Sequence, residues 1–360
     1  MMIAIFIISV IYLVIISVIL NSVKSIFNST ILKSISKIKI SVVIAAKNEE
    51  KNLPALISSL VKQSYAADLF EVIIIDDNSS DNTFEKAKSL TENFNHFSVY
   101  KATDKKFPGK KGALEFGIAK AKNPFVLITD ADCQPDKKWI ESFASKLDSD
   151  NDFVFGIAPF IQDKTPVNKI SCFENLRTQL LTLSFANLGL PYSAAARSFG
   201  FRKDSFEKLS GYKNTTETLS GDDDLLLREA VKHKMKIDIV ADDDSFVYSN
   251  TSKSFAEYLK QKTRHTSTSL HYLFIHKLLL GLWHLINMYM LFSPILIIIN
   301  INFLILFLVK IGVDIYLVSS AKKYFGYKFN FLEIIVYQII YEFMLIINFF
   351  NAIFRKVEWK

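Results

Sequence analysis

The sequence predicts an α/β, Rossmann-like doubly wound domain carrying N-terminal and C-terminal transmembrane helices. Three observations predict it. Half of the 360 residues are apolar, 31 of them Phe, and mean hydropathy is +0.22, yet 22% are charged. Such a balance excludes disorder and fibrous repeats, and it requires charge and grease to lie in different segments. A β-α-β-α-β-α-β rhythm runs from about residue 38 to residue 129. Apolar runs of bilayer-spanning length open and close the chain.

The first run, Met2 to Leu20, contains no charge. No basic residue precedes it and no small-x-small cleavage site follows, which favours an uncleaved anchor (residues 1–22) over a signal peptide. Lys24, Lys33, Lys37 and Lys39 come after it, so the positive-inside rule places the following chain in the cytoplasm. Two cysteines, Cys133 and Cys172, make no disulfide framework and agree with a reducing compartment.

The polar stretch 38–265 alternates strands and helices. Ile38–Ala45 is β-branched and nearly continuous, as a strand buried on both faces should be. Glu49–Gln63 has helical spacing, with Leu53, Leu56, Ile57 and Leu60 on one face. Glu71–Ile75 is the next strand and runs into Asp76-Asp77. Thr83–Leu90 reads as a helix, Phe97–Lys101 as a short strand, Gly112–Ala121 as a helix, and Pro124–Thr129 as a strand closed by Asp130-Ala131-Asp132. Ligands of doubly wound sheets bind outside the carboxyl ends of the strands, so both acidic clusters should share one crevice.

Residues 266–360 turn apolar again. His276–Phe292 and Ser293–Leu308 are two runs separated by Ser293-Pro294, and Phe331–Phe354 is another. Two or three membrane helices are expected, joined by the basic, aromatic link Ala321–Lys328. A third span would put Arg355, Lys356 and Lys360 outside, against the charge rule. The spans should carry almost no buried charge beyond His276, His284 and Asp314, which argues against a transporter.

Five clusters carry chemistry. Asp130 and Asp132 stand two apart at a strand end, so their carboxylates share one side and make a hard-oxygen site for Mg²⁺ or Mn²⁺. The alternative is an acidic turn. Asp76-Asp77 close a buried strand and can accept from a base N–H or a ribose hydroxyl, or they belong to a solvated turn. Gly109-Lys110-Lys111-Gly112 opens a helix, where free N–H groups and lysines favour a diphosphate, although the P-loop spacing is absent. Gly221-Asp222-Asp223-Asp224 puts three like charges at a helix start. Capping accounts for one of them, and crowded carboxylates drift toward the raised pKa of a general base. Gln261 and Arg264 share a helix face and would present an amide and a guanidinium to a phosphate or sugar, or else touch anionic lipid.

In this order and spacing the clusters resemble those of a family 2 glycosyltransferase of the GT-A fold, in the membrane-integrated branch that includes cellulose and hyaluronan synthases and ceramide glucosyltransferase. The resemblance covers about residues 38–265 and begins at Ala45-Ala46-Lys47-Asn48-Glu49-Glu50. It implies that Asp76 and Asp77 bind the nucleotide base and that Lys110 lies near the diphosphate. It further implies that Asp130 and Asp132 hold the cation and that Asp222 or Asp223 is the catalytic carboxylate. The last motif reads Gln261-x-x-Arg264-His265, with His where the family has Trp. That departure and the small membrane part favour a single transfer over polymer synthesis.

The activity implied is an inverting, divalent-cation-dependent transfer from a UDP- or GDP-linked sugar to a lipid or glycan acceptor at the inner face of a bacterial plasma membrane. A processive polysaccharide synthase and a non-catalytic membrane scaffold are the alternatives. The net charge of +7 suits phosphate substrates and anionic membrane lipids, with no need for nucleic acid.

Overall fold

A computed structural model describes residues 2–29, 36–242 and 244–354. Lys33, Arg355, Lys356 and Lys360, whose charges entered the topology reading, lie outside them. The described residues form two units, an α/β unit of residues 36–161 and 191–250 and a helical unit of residues 2–29, 162–190 and 251–354.

Along the chain, α1 (Met2–Asn28) is followed by β1 (Ile40–Ala46), α2 (Leu53–Val61), β2 (Phe70–Asp76), α3 (Thr83–Thr91), β3 (Phe97–Lys101), α4 (Gly109–Lys120) and β4 (Phe125–Ile128). Next come β5 (Cys133–Pro135), α5 (Trp139–Asp148), β6 (Phe153–Gly156) and the long α6 (Pro166–Asn187). Then follow β7 (Phe199–Arg202), α7 (Lys203–Lys208), α8 (Asp224–Lys232), β8 (Ile237–Val240) and β9 (Val247–Ser249). The chain ends in α9 (Phe255–Ser269), α10 (Phe274–Phe292), α11 (Phe303–Ala321) and α12 (Phe331–Phe354).

In the α/β unit the expected rhythm is present, with β1 to β4 paired in parallel in the order β3-β2-β1-β4. Helices cover both faces, which is why these strands read as unbroken apolar runs. On one side Ile40, Val42, Ile44, Val72 and Ile74 pack with Leu53, Leu56 and Leu60 of α2. On the other side α4 approaches through Gly117, where a Cβ would come within 2.5 Å of Val43 Cγ1. Beyond β4 the sheet departs from the parallel pattern. It continues β7-β6-β8, with β7 antiparallel to both of its neighbours, and β5 pairs with β9 in a small separate ribbon. Helix α2 starts at Leu53 and not at Glu49, because Asn48 to Glu50 are drawn into the loop after β2. The Asn48 amide N–H donates to Ser79 Oγ (3.0 Å), the Ser80 amide donates to Asn48 Oδ1 (2.8 Å) and the Glu49 amide donates to Thr83 Oγ1 (2.8 Å).

In the helical unit four stretches are long and apolar enough to cross a bilayer: Met2–Asn28, Phe274–Ile298, Phe303–Phe325 and Phe331–Phe354. The expected break at Ser293-Pro294 is displaced. Ser293–Ile298 continues α10 as a 3₁₀ turn, since a proline in a first helical turn loses no intrahelical bond. The next span is therefore Phe303–Phe325 and not Ser293–Leu308.

The expectation of almost no buried charge in the spans is overturned. Lys310 Nζ lies 2.9 Å from Asp314 Oδ2 and 3.3 Å from Glu342 Oε1, and Arg177 Nη1 of α6 lies 3.1 Å from Asp314 Oδ1. The Tyr12 hydroxyl donates to the same Asp314 oxygen at 2.7 Å, and Lys310 donates to Asn287 Oδ1 at 2.7 Å. Two cations and two anions thus neutralise one another, as charges withdrawn from water must. The residues come from five helices far apart in sequence, so no local pattern revealed them.

Candidate active site

The site assembles at the carboxyl ends of the parallel strands. Strand β2 ends on Asp76, in register with Ala46 and Lys101, and the Asp77 amide donates to Ala46 O at 2.7 Å. Both carboxylates are buried. Asp77 is paired with Lys105, whereas Asp76 Oδ1 has no hydrogen-bond partner among the described residues. A buried carboxylate oxygen without a donor awaits one, so Asp76 is built to accept.

Helix α4 begins at Gly109, in the left-handed region (φ +64°), and its first turn carries Lys110. The Lys110 ammonium bridges two acidic clusters, 2.6 Å from Asp130 Oδ1 and 2.7 Å from Asp222 Oδ2. Burial alone would lower its pKa, but the two carboxylates outweigh burial and hold it well above its ordinary value. Burial would raise Asp222, but Lys110 keeps that carboxyl below its usual range. Lys111 turns the other way and donates to the Thr215 and Thr218 carbonyls, so its role is to hold that loop.

Asp130 and Asp132 follow β4, and their oxygens lie within 4.8 Å of one another and of Cys133 Sγ. Asp132 is exposed. Desolvation by the surrounding protein, then the Asp130 charge, raises its pKa, while Arg197 opposes the rise. Two carboxylates without an imidazole suit a hard divalent ion. Burial, then Asp132 and Asp130, pushes the Cys133 thiol well above its ordinary range.

The three aspartates before α8 divide their work. Gly221 takes a left-handed φ of +77°, which lets the chain enter the helix abruptly. Asp223 is the cap residue, with Oδ1 accepting from the Asp224 amide at 2.7 Å and Oδ2 from the Ala196 amide at 2.7 Å. Asp224 Oδ1 accepts from Ser193 Oγ at 2.8 Å and the Ala194 amide at 3.0 Å. Asp222 is the one that turns to Lys110. The expected upward drift of pKa is seen at Asp223, through burial and then its neighbours Asp224 and Asp222, and not at Asp222.

Asp76, Asp77, Lys110, Asp130, Asp132, Asp222 and Asp223 all belong to the α/β unit, and Lys110 brings Asp130 and Asp222 together directly. Gln261 and Arg264 lie one turn apart on α9, in the helical unit, where Ser252 Oγ donates to Gln261 Oε1 at 3.2 Å. Two residues escaped sequence reasoning. Tyr212 is fully buried, its hydroxyl has no hydrogen-bond partner among the described residues, and Asp222 is among the charges that raise its pKa, after burial. Arg197 is a lone cation in the small-residue stretch Ser193–Ser198, a pattern with no helical or alternating signal.

Residues 41–210 match the family model described as glycosyl transferase family 2. The chain is 24% identical over 141 residues to glycosyltransferase AglE of Haloferax volcanii, covering 38% of this chain and 46% of that one. It is 34% identical over 95 residues to the β-monoglucosyldiacylglycerol synthase of Trichormus variabilis, covering 26% of this chain and 20% of that one. The chain therefore spans less than half the length of these relatives. A solved structure of the mannosyltransferase PcManGT from Pyrobaculum calidifontis, in complex with GDP-Man and Mn²⁺, superposes with a TM-score of 0.58 over 96% of both chains at 14% identity, which speaks for the fold. Together with the sheet order, these findings show that residues 41–210 are similar to family 2 glycosyltransferases and that the fold is of the GT-A type.

Proposed function

We propose that this chain transfers one sugar from a UDP- or GDP-linked donor to a lipid or lipid-linked acceptor at the inner face of a membrane, with inversion at the anomeric carbon. The observation that carries the reading is the placing of Asp130, Lys110 and Asp222 within direct contact distance at the strand ends. Four candidate spans and the similarity to a glycolipid synthase over 95 residues support the lipid acceptor. Lys24 near the carboxyl end of the first span, and Lys37 and Lys39 after it, support the inner face.

In this reading Asp76 accepts a hydrogen bond from the nucleotide base, with Asp77 held beside it by Lys105. Asp130 and Asp132 hold Mg²⁺ or Mn²⁺, which when bound offsets diphosphate charge. Lys110 offers its ammonium to the diphosphate oxygens. Asp222 takes the proton from the acceptor hydroxyl as that oxygen bonds to the anomeric carbon. The carbon–oxygen bond to the diphosphate breaks, and the diphosphate leaves with the electron pair. Asp223, with both oxygens committed to main-chain amides, shapes the loop and leaves proton transfer to Asp222.

The test is incubation of membranes containing the full chain with labelled UDP- and GDP-sugars, with and without chelator. A single organic-soluble labelled product that vanishes with EDTA and in Asp132→Ala is expected. A ladder of long products would defeat single transfer, and turnover undiminished in Asp132→Ala would defeat the cation site.

A further inference from the structure

Three lysines near the strand ends are matched. Lys105 is paired with Asp77, Lys110 with Asp130 and Asp222, and Lys111 is spent on two carbonyls. Arg197 differs: among the described residues no carboxylate oxygen lies within ion-pair distance of it. Its guanidinium is nevertheless held firmly. Nη2 donates to Ala158 O at 2.5 Å, and the plane stacks on Phe160 with 4.5 Å to the ring centroid. Nε–H is buried and finds no acceptor among the described residues. An unsatisfied buried donor on a fixed cation costs stability unless a ligand supplies the acceptor.

The position of Arg197 follows from the sheet. Strands β4 and β7 run antiparallel with Ile128 opposite Phe199, so the two residues just past that pair, Asp130 and Arg197, emerge at the same sheet edge. The loop bearing Arg197 is pinned from the other side by Asp223 and Asp224, which accept from the Ala196 and Ala194 amides and from Ser193 Oγ. The acidic run before α8 therefore acts partly by positioning a cation beside the Asp130–Asp132 pair. A planar fork with an open N–H suits a phosphoryl oxygen better than a neutral sugar hydroxyl.

We propose that Arg197 is a substrate-binding residue that takes a phosphoryl oxygen, supplied either by the donor's diphosphate or by a phosphate on the acceptor. This rests on the glycosyl-transfer reading above and adds a ligand contact to it.

Titration calorimetry on the detergent-solubilised full chain tests it, with UDP and GDP compared against uridine and guanosine, and a short polyprenyl phosphate against its polyprenol. Arg197→Gln should weaken the phosphorylated member of one pair by about tenfold or more and leave its unphosphorylated partner unchanged. Loss confined to UDP or GDP assigns the donor diphosphate, and loss confined to polyprenyl phosphate assigns the acceptor. A purely structural role would move both members of a pair alike and overturn the proposal, as would affinities within twofold of wild type throughout. Should Arg197→Gln fail to elute as a folded monodisperse species, Arg197→Lys, which keeps the charge without the fork, carries the same comparison with threefold or greater loss. A wild-type chain that binds neither nucleoside diphosphate and converts no nucleotide sugar defeats the transfer reading itself, whereas an active wild type with an indifferent Arg197→Gln defeats the Arg197 assignment alone.

Discussion

Three adjacent carboxylates at 222–224 are alike in sequence and unlike in environment. Asp222 faces an ammonium, while Asp223 and Asp224 face main-chain amides. Asp222→Asn should therefore lower kcat by 10²-fold or more, in line with loss of a general base, while nucleoside diphosphate affinity stays within a few-fold. Asp223→Asn should cost about 1 kcal/mol of stability as a weakened cap, with a smaller drop in kcat. Steady-state kinetics beside thermal melts separates the two, and equal losses of kcat would refute the division. Lys110→Met exposes the electrostatics of the same group. In the wild type Asp222 is held below its unfolded pKa, so its contribution to stability is present above that value and lost as pH falls through the folded value. Without Lys110, burial would leave Asp222 binding a proton more readily folded than unfolded, so acid would stabilise the variant. The deficit of Lys110→Met, roughly 3 kcal/mol near neutral pH, should shrink toward pH 4. Melting temperatures at both pH values in EDTA check this, and a constant gap would refute it.

At the scale of elements, the parallel strands and their helices were legible because each buries a continuous apolar face of regular period. Phe97–Lys101 and Thr83–Thr91 fall within one residue of the sequence expectation for this reason. The antiparallel β7 was not legible, since Phe199–Arg202 is four residues long and its direction depends on which neighbour it meets. The membrane-span boundaries moved for a similar reason: Pro294 breaks a helix only where an N–H is needed, and here it sits in a tightened first turn. The buried Lys310–Asp314–Glu342–Arg177 group fixes how α6, α11 and α12 meet. Lys310→Met should destabilise the helical unit by about 3 kcal/mol, because Glu342 is left buried without its cation. Adding Glu342→Gln should recover a large part of that loss. Melting of both variants in detergent decides, and a double variant as unstable as the single one would show that the pair is not coupled.

For the whole molecule, the segregation of charge and apolar surface has a direct consequence. Four helices meet the length and apolarity of bilayer spans, and their outward residues include Phe6, Leu285, Ile298 and Phe354, all more than 60% exposed. Apolar surface of this extent needs an apolar solvent. The full chain should therefore remain in the membrane pellet after alkaline carbonate washing and leave it only with detergent. Release by carbonate would refute the spans.

The sequence alone determined the α/β class, the greasy flanks and the acidic strand ends, because periodicity and composition are local properties that any packing must respect. Through the family resemblance that their order carries, it also brought Asp130, Asp132, Lys110 and the pair Asp222 and Asp223 forward as one expected group, with the choice within that pair left open. Only the tertiary structure decided which carboxylate of 222–224 meets Lys110, that Asp77 pairs with Lys105 while a buried oxygen of Asp76 has no hydrogen-bond partner among the described residues, and that Arg197 emerges at the same strand end as Asp130. Each of those depends on contacts between residues tens of positions apart, and a side chain's charge, burial and partner are settled only when such distant segments are brought together.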